Sequence, residues 1–297
     1  MIPKYREIFA VKEEYMLPGG RSCPGCGGGI LTRTILKAIG PNVIASTGSC
    51  GTNTTSIFPI GPMGRVPVPV SILGGAGGVL SGIEQALRVK GKGDAIVLGM
   101  VGDGDAADIG FGGLSALFER GHKVIIICMD NQAYAATGGQ RSGTTPLKAR
   151  TRSTPHGKQA YPKELPFIFL AHNIPYAATA SAAYPEDLFR KVVKAKDREN
   201  QPAYIHALMP CPTSWGTRPA DTVQVSRLAV QTGLWPLWEC ERGVFKCTVR
   251  VAERKPVGQY LRLQRRFEGV TEDDIAEVQQ YAEAIEKKLQ KYEQFYS

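Results

Sequence analysis

Histidine is scarce in this chain: four in 297 residues, at positions 122, 156, 172 and 206, none spaced to ligate a metal in pairs or to build a nucleophilic triad. Each is expected at the surface or as a satisfied buried polar group. Long apolar runs are missing as well. The opening MIPKYREIFAVKEEYMLPGG is charged throughout, without the apolar stretch of a secretory signal, and no run reaches the ~20 residues of a membrane-spanning helix. The expectation is a cytoplasmic protein with no membrane partner. Basic residues exceed acidic ones by a formal +9, with local enrichment from Arg242 to Arg266, yet no Lys/Arg run is interleaved with aromatics. A single-strand nucleic-acid groove is therefore not expected; the charge suits a small acidic electron carrier or an anionic cofactor. Internal repeats are absent. Without an export signal, the seven cysteines read as metal ligands, buried apolar residues or redox groups rather than a disulfide framework.

What is present in quantity is glycine and proline, 34 and 20 residues, which promises tight turns and close backbone approaches. Helical spacing covers Ile30–Ile39 and Gly75–Val89, and NVIAST (42–47) reads as a short strand. Ala95–Val101 and Val124–Met129 are uninterrupted apolar runs of strand length, separated by a helix beginning near Ile109. Runs apolar on both faces belong to buried parallel strands, and strand, helix, strand implies a right-handed crossover. The fold class expected is α/β, a doubly wound, mostly parallel sheet. Ala135 to Lys158 is too polar and too long for a simple connection and reads as a functional loop. Leu188–Lys196 reads as a helix, Ala203–Met209 as another strand, and MPCPTSWG as the loop after it. From Val223 the chain changes character, with a helix, a hairpin around Glu241 to Gly243 and a charged amphipathic helix from Thr271 to about Leu289. The organisation expected is one α/β domain over residues 1–222 and an extension over 223–297 that wraps on the domain or on a partner.

GMVGDGDAADIGFGGL (99–114) carries the first chemical signal. Ligands of open parallel sheets bind beyond the carboxyl ends of the strands, and Asp103 sits at such an end between two glycines, just before a helix N-terminus suited to a diphosphate. A carboxylate beside a phosphate is electrostatically reasonable only with a cation between them, and Mg²⁺ shares its shell between the two. The next buried strand places Asn131 at the same edge. A bare Gly-Asp-Gly is otherwise an ordinary turn; the pairing with Asn131 is what gives it weight.

GDGDAADIG followed by DNQAYAATGGQRSGTTP resembles the thiamine-diphosphate-binding motif of 2-oxoacid:ferredoxin oxidoreductases, specifically the β subunit of the pyruvate-type branch. The likeness extends from SCPGCG through CPTSWG into RLAVQTGLWPLWE and KPVGQYLRLQRRF, nearly the whole chain. The resemblance implies a diphosphate-binding domain in which Asp103, Asn131 and the backbone carbonyl of Ala133 hold Mg²⁺, with Gly102, Asp103, Gly104, Asp105 and Thr137 around the diphosphate. A pyrimidine-domain subunit should complete the active site, so the chain alone should be inactive. A ferredoxin-like cluster subunit or domain, ferredoxin as acceptor and a dimer of heteromers are implied in the same way.

Cys23 and Cys26 form CPGC, a spacing that lets two sulfurs reach one metal, though it also serves zinc and dithiol chemistry. Cys50 and Cys211 lie in loops expected on the same side of the sheet. Spacing alone leaves structural zinc and an iron-sulfur cluster level. By resemblance the four hold a 4Fe-4S cluster, which suits cofactor chemistry that releases electrons. Cys128, inside VIIICM, is expected to be buried and inert; Cys240 and Cys247 flank the hairpin and could face each other in a structural role.

The substrate pocket is where the likeness weakens. Pyruvate-type relatives usually carry asparagine at the position of Ala136 and an aliphatic residue at that of Asn53. An aliphatic wall suits a methyl group, a polar one a second carboxylate, so the expectation places oxalate ahead of pyruvate, with glyoxylate behind. Arg141 is a third pocket candidate, for phosphate, substrate or a neighbouring subunit. Two rivals stand beside this reading. A thiamine-dependent decarboxylase without redox chemistry leaves the four cysteines unexplained. A zinc-stabilised nucleotide-binding module would need no thiamine.

Overall fold

Apolar runs that do not alternate need two buried faces, and the computed structural model, which describes residues 6–18, 22–47 and 65–295, supplies them. In chain order, α1 (Arg6–Ala10) and α2 (Gly27–Ile39) lead into β1 (Val43–Thr47). Then α3 (Ala76–Val89) precedes β2 (Ile96–Gly102), a π-helical turn (Asp105–Ile109) and α4 (Phe111–Glu119). The parallel region is completed by β3 (Val124–Asp130), α5 (Leu165–Leu170), β4 (Tyr176–Ser181), α6 (Pro185–Ala195) and β5 (Ala203–Leu208). After α7 (Pro212–Trp215) and α8 (Thr222–Gln231) come β6 (Leu237–Glu241), β7 (Val244–Val249), α9 (Val257–Leu261) and α10 (Glu272–Phe295).

The strands form one seven-stranded sheet in the order β1-β2-β3-β5-β4-β6-β7. Strands β1 to β5 are parallel; β6 is antiparallel to β4, and β7 to β6. The fold is thus the doubly wound, mostly parallel α/β type. Alternate residues of β3 serve opposite faces: Ile125, Ile127 and Met129 pack with Leu31 and Ile35 of α2 and Leu188 and Val192 of α6. Val124, Ile126 and Cys128 pack with Leu80 of α3, Leu114 and Leu117 of α4 and Phe169 of α5. Each such side chain contributes roughly 1.5–3 kcal/mol by burial, which is why the run shows no polar alternation. Cys128 is fully buried.

Several elements lie outside the sequence reading, among them α1, α9 and α7, which falls in the segment read as a loop. Strand β4 (YAATAS) is small by composition, yet all six residues are buried: Tyr176, Ala178 and Ala180 lie in the cluster of Leu188 and Val192 of α6, and Ala177 in that of Phe169 of α5. Helix α5 was not expected at all. Helix α2 starts three residues earlier than its apolar pattern, since the glycines after Cys26 form its first turn, the Gly27 N–H donating to Pro210 O at 3.0 Å.

Residues beyond 222 extend the sheet. The β6–β7 hairpin turns on Arg242 and Gly243, both at positive φ (51° and 85°), as two-residue hairpins require. Within it Cys240 opposes Phe245 and Cys247 opposes Trp238, so the two cysteines do not face each other directly. Trp238, Cys240, Phe245 and Leu289 of α10 form one cluster, with Phe167 and Cys247 against it. A second cluster joins Leu147 of the long loop, Trp215 of α7, Leu261, Phe267 and Val278. Among the described residues no helix is long and apolar enough to cross a membrane.

Candidate cofactor site

Parallel strands end on one edge of the sheet, so β2, β3 and β5 deliver Asp103, Asn131 and Cys211 to the same side. Helix α2 runs back toward the start of β1, which puts its N-terminus, preceded by Cys26, on that side too. Topology brings together what the sequence keeps far apart.

Asp103 is 2% exposed and Asp130, the last residue of β3, is fully buried. Two hydroxyls lie between them. Ser142 Oγ donates to Asp103 Oδ2 at 2.5 Å; Thr144 Oγ1 lies 3.1 Å from the same oxygen and 2.8 Å from Asp130 Oδ1. A hydroxyl has one proton to give, so Thr144 satisfies one carboxylate at a time. Burial, together with the charge of Asp130, holds the Asp103 carboxyl well above the ordinary carboxylate range. Asp130 also accepts from the Gln132 N–H at 2.7 Å and pairs with His206 Nε2 at 2.8 Å. The edge therefore holds two buried carboxyls close together, one of which keeps its proton because of the other. Asn131 Oδ1 accepts from Ala133 N–H at 3.2 Å, and Ala133 O from Ala135 N–H at 2.9 Å. Each of these carbonyl oxygens has a second lone pair to offer, so the donors on offer are all oxygen, as hard divalent cations prefer.

Gly104 has a packing reason to be glycine. A Cβ there would collide with the Tyr134 ring, whose hydroxyl donates to Gly104 O at 3.0 Å and lies 3.2 Å from Asp108 Oδ2. The glycine makes room for an aromatic brace. The segment that follows is π-helical over Asp105–Ile109, a form concentrated at functional sites, and it leaves Ile109 61% exposed beside the site. Asp105 accepts from the Gly74 N–H at 3.0 Å, but its other oxygen is buried without a partner. Burial pushes this carboxyl up to about 6 from an ordinary value of 3.8. The folded chain thus holds a proton in that window that the unfolded chain releases, and stability falls as pH rises through it. Asp105→Asn keeps the acceptor for Gly74. It is expected to stabilise the cofactor-free chain at neutral pH and to flatten the fall between 3.8 and about 6, as read by thermal melts across pH.

The other sequence candidates are placed as follows. Ala136 and Thr137 are exposed at the tip of the loop after Asn131, and Thr137 Oγ1 donates to Gln140 Oε1 at 2.6 Å. Arg141 is exposed, its N–H donating to Ser153 Oγ at 2.9 Å. Asn53 and Cys50 lie outside the described residues. Cys26, at the N-terminus of α2, accepts backbone N–H groups of Gly28 and Gly29, while burial and the nearby Cys211 and Cys23 raise its thiol. Three of the four cysteine candidates are thus electrostatic neighbours. Among the described residues no three of His, Cys, Asp and Glu form a group that could hold a metal ion.

Sequence reasoning missed a whole supporting layer. Trp215 donates from Nε1 to Asn131 O at 2.8 Å. Its ring carries the buried Arg266 guanidinium 4.0 Å above it, and Arg266 Nη2 donates to Gln132 Oε1 at 2.7 Å. The loop after Asn131 is therefore tied to the Cys211 loop through an arginine of the C-terminal segment. His206, expected to be a satisfied polar residue, is one, but its partner is Asp130.

The thiamine pyrophosphate enzyme, C-terminal TPP binding domain model matches residues 47–207. Pyruvate synthase subunit PorB of Methanothermobacter thermautotrophicus is 45% identical over 284 residues, 94% of this chain and 98% of that one. Ketoisovalerate oxidoreductase subunit VorB of Pyrococcus furiosus is 39% identical over 295 residues, 94% and 93% of the two chains. Among solved structures, a 2-oxoglutarate:ferredoxin oxidoreductase from Magnetococcus marinus, with 2-oxoglutarate, coenzyme A and succinyl-CoA bound, matches at TM-score 0.58 and 26% identity over 67% of each chain. With a thiamine-diphosphate-binding domain over half its length and relatives of this kind over nearly all of it, the chain belongs to the β subunits of the 2-oxoacid:ferredoxin oxidoreductases.

Proposed function

We propose that this chain binds thiamine diphosphate through Mg²⁺ and works, within a multi-subunit complex, in the oxidative decarboxylation of pyruvate or a close 2-oxo acid. The observation that carries the reading is the buried Asp103–Asp130 pair at the strand ends, whose mutual repulsion a cation would relieve, within the matched domain. Asp103, the Asn131 side chain and the Ala133 carbonyl would hold Mg²⁺, an oxygen-only set that fits this ion. Ser142 and Thr144 orient the Asp103 carboxylate, and Tyr134 braces the Gly102–Asp105 turn from behind. Cys23, Cys26 and Cys211, with Cys50, are the residues that would hold a 4Fe-4S cluster; the Gly28 and Gly29 N–H groups donate to the Cys26 sulfur and oppose the burial that raises its thiol overall. When bound, thiamine diphosphate supplies the carbon nucleophile and electron sink for decarboxylation, and the cluster takes up electrons singly. The partners proposed are a pyrimidine-domain subunit that completes the site, a ferredoxin-like cluster subunit or domain, and ferredoxin.

Ala136 and Asn53 led the sequence reading to favour oxalate. Relatives named for pyruvate and ketoisovalerate, at 45% and 39% identity, support the pyruvate-type alternative better. The deciding experiment takes the complex purified anaerobically with its partner subunits, adds thiamine diphosphate and Mg²⁺, and follows visible and EPR spectra with pyruvate, 2-ketoisovalerate or oxalate. Bleaching near roughly 400 nm, expected of reduced thiolate-ligated iron-sulfur clusters, should come fastest with pyruvate. Bleaching by oxalate alone would restore the oxalate reading. A colourless, zinc-containing preparation would overturn the electron-transfer function and return the zinc-stabilised module.

A further inference from the structure

We propose that Lys158 is a positioning residue for the cofactor site: its buried ammonium clamps the two carbonyls that flank Thr144 and so presents the Ser142 and Thr144 hydroxyls to Asp103 and Asp130. The inference rests on the cofactor reading above and assigns a role to a side chain that reading does not use.

Lys158 is 3% exposed. Its Nζ donates to Gly143 O at 3.1 Å and to Thr145 O at 2.6 Å, and among the described residues it forms no ion pair. The backbone around it is fixed: its N–H donates to Ala149 O at 3.0 Å and its carbonyl accepts from Lys148 N–H at 2.7 Å. The peg is therefore held from behind. In front of it the turn is bonded on every side, Ser142 N–H to Thr145 Oγ1 at 2.9 Å and Thr145 Oγ1 to Gln132 O at 2.7 Å. Ser142 and Thr144 then reach the two carboxylates. An exposed lysine on this polar loop would bring nothing to the site; a buried one, aimed at two carbonyls, fixes the geometry of the turn between them.

Charge adds a second reason for lysine. An ammonium taken out of water without a carboxylate is costly, and here the nearby negative charge belongs to Asp130 and Asp108, opposed by Arg141 and Lys163. Burial and Arg141 push the amine down to about 8. Above that pH it becomes neutral, donates more weakly and no longer offsets the acidic pair. The hydroxyl cradle should loosen over the same range.

The test uses the whole complex, freed of cofactor, and titrates thiamine diphosphate at fixed Mg²⁺ by quenching of tryptophan fluorescence across neutral to alkaline pH. Wild type should lose about 10-fold in affinity across the alkaline limb, the scale of losing an outer partner of a metal ligand. Lys158→Arg keeps its charge and should bind without that limb. Lys158→Met should bind about 10–100-fold more weakly at every pH, raising KM for the cofactor while kcat at saturation stays near wild type. A wild-type limb retained unchanged in Lys158→Arg, or wild-type affinity in Lys158→Met, overturns the inference. Should Lys158→Met fail to fold by circular dichroism, the Lys158→Arg profile decides alone. A wild-type complex that binds no thiamine diphosphate at any pH overturns the cofactor reading itself, a different outcome from wild-type binding with unaffected variants.

Discussion

Asp103→Asn is expected to stabilise the cofactor-free complex near neutral pH by about 1–3 kcal/mol, while costing it about 100-fold or more in affinity for thiamine diphosphate with Mg²⁺. The opposite signs follow from one cause. Asp103 and Asp130 are both buried, and the proton that Asp103 keeps is held there by burial and by the charge of its neighbour. Because the folded chain binds a proton that the unfolded chain has released, stability falls as pH rises through this titration. Asparagine has no proton to lose, so the dependence should flatten. Its amide oxygen can still accept from Ser142, and being uncharged it competes less for the Thr144 proton, which then goes to Asp130. Cation binding needs the charge that folding tolerates poorly, since the proton must leave before Asp103 can serve as ligand. Wild-type affinity should therefore also fall on acidification. Thermal melts before cofactor addition and calorimetric titration with Mg²⁺ and thiamine diphosphate read both effects. An Asp103→Asn complex with unchanged affinity would remove Asp103 from the cation site.

The parts of this architecture legible in the sequence are those whose signal is local. Strands β2 and β3 announce themselves because both faces of each are buried and nothing polar interrupts them. Asp103 and Asn131 stand out because each sits where such a run breaks. Asp130 is hidden by the same logic, as the last residue of a strand whose neighbours are all apolar. Strand β4 escapes because three of its six residues are alanine, which carries little strand signal, and its burial comes from helices α6 and α5 on the two faces of the sheet. Ser142, Thr144 and Lys158 belong to a loop whose composition says only that it is polar; their roles depend on how that loop folds back over Asp103, 39 residues earlier in the case of Ser142. Arg266 is further still, 134 residues from the Gln132 it bonds. The neighbourhood of Cys23, Cys26 and Cys211 was inferable from topology alone, since α2 must run opposite to β1. Cys50 and Asn53 fall outside the described residues.

Gly77→Ala is expected to destabilise the protein by about 3 kcal/mol or more, against the direction helix propensity predicts. Glycine in a helix interior normally costs roughly 0.5–1 kcal/mol relative to alanine, so a substitution in α3 judged on propensity alone should help. The packing says otherwise. A Cβ on Gly77 would fall on the carbonyl of Gly113 in α4 and lie 2.8 Å from the Leu114 nitrogen, backbone atoms that cannot swing aside. The two helices would have to separate, loosening Leu80, Leu114 and Leu117, all fully buried. The residue across the contact supplies the control. A Cβ on Gly113 would meet nothing nearer than the Gly77 Cα at 3.7 Å, an ordinary contact, so Gly113→Ala should be neutral or more stable by about 0.5–1 kcal/mol. Denaturant melts of the two variants separate close helix approach from propensity, and equal effects at both positions would refute it. The consequence reaches the site, because α3 is preceded by Gly74, whose N–H holds Asp105, and α4 continues directly from the π-helical turn that carries it. Forcing the helices apart should therefore weaken cofactor binding in Gly77→Ala and leave it unchanged in Gly113→Ala.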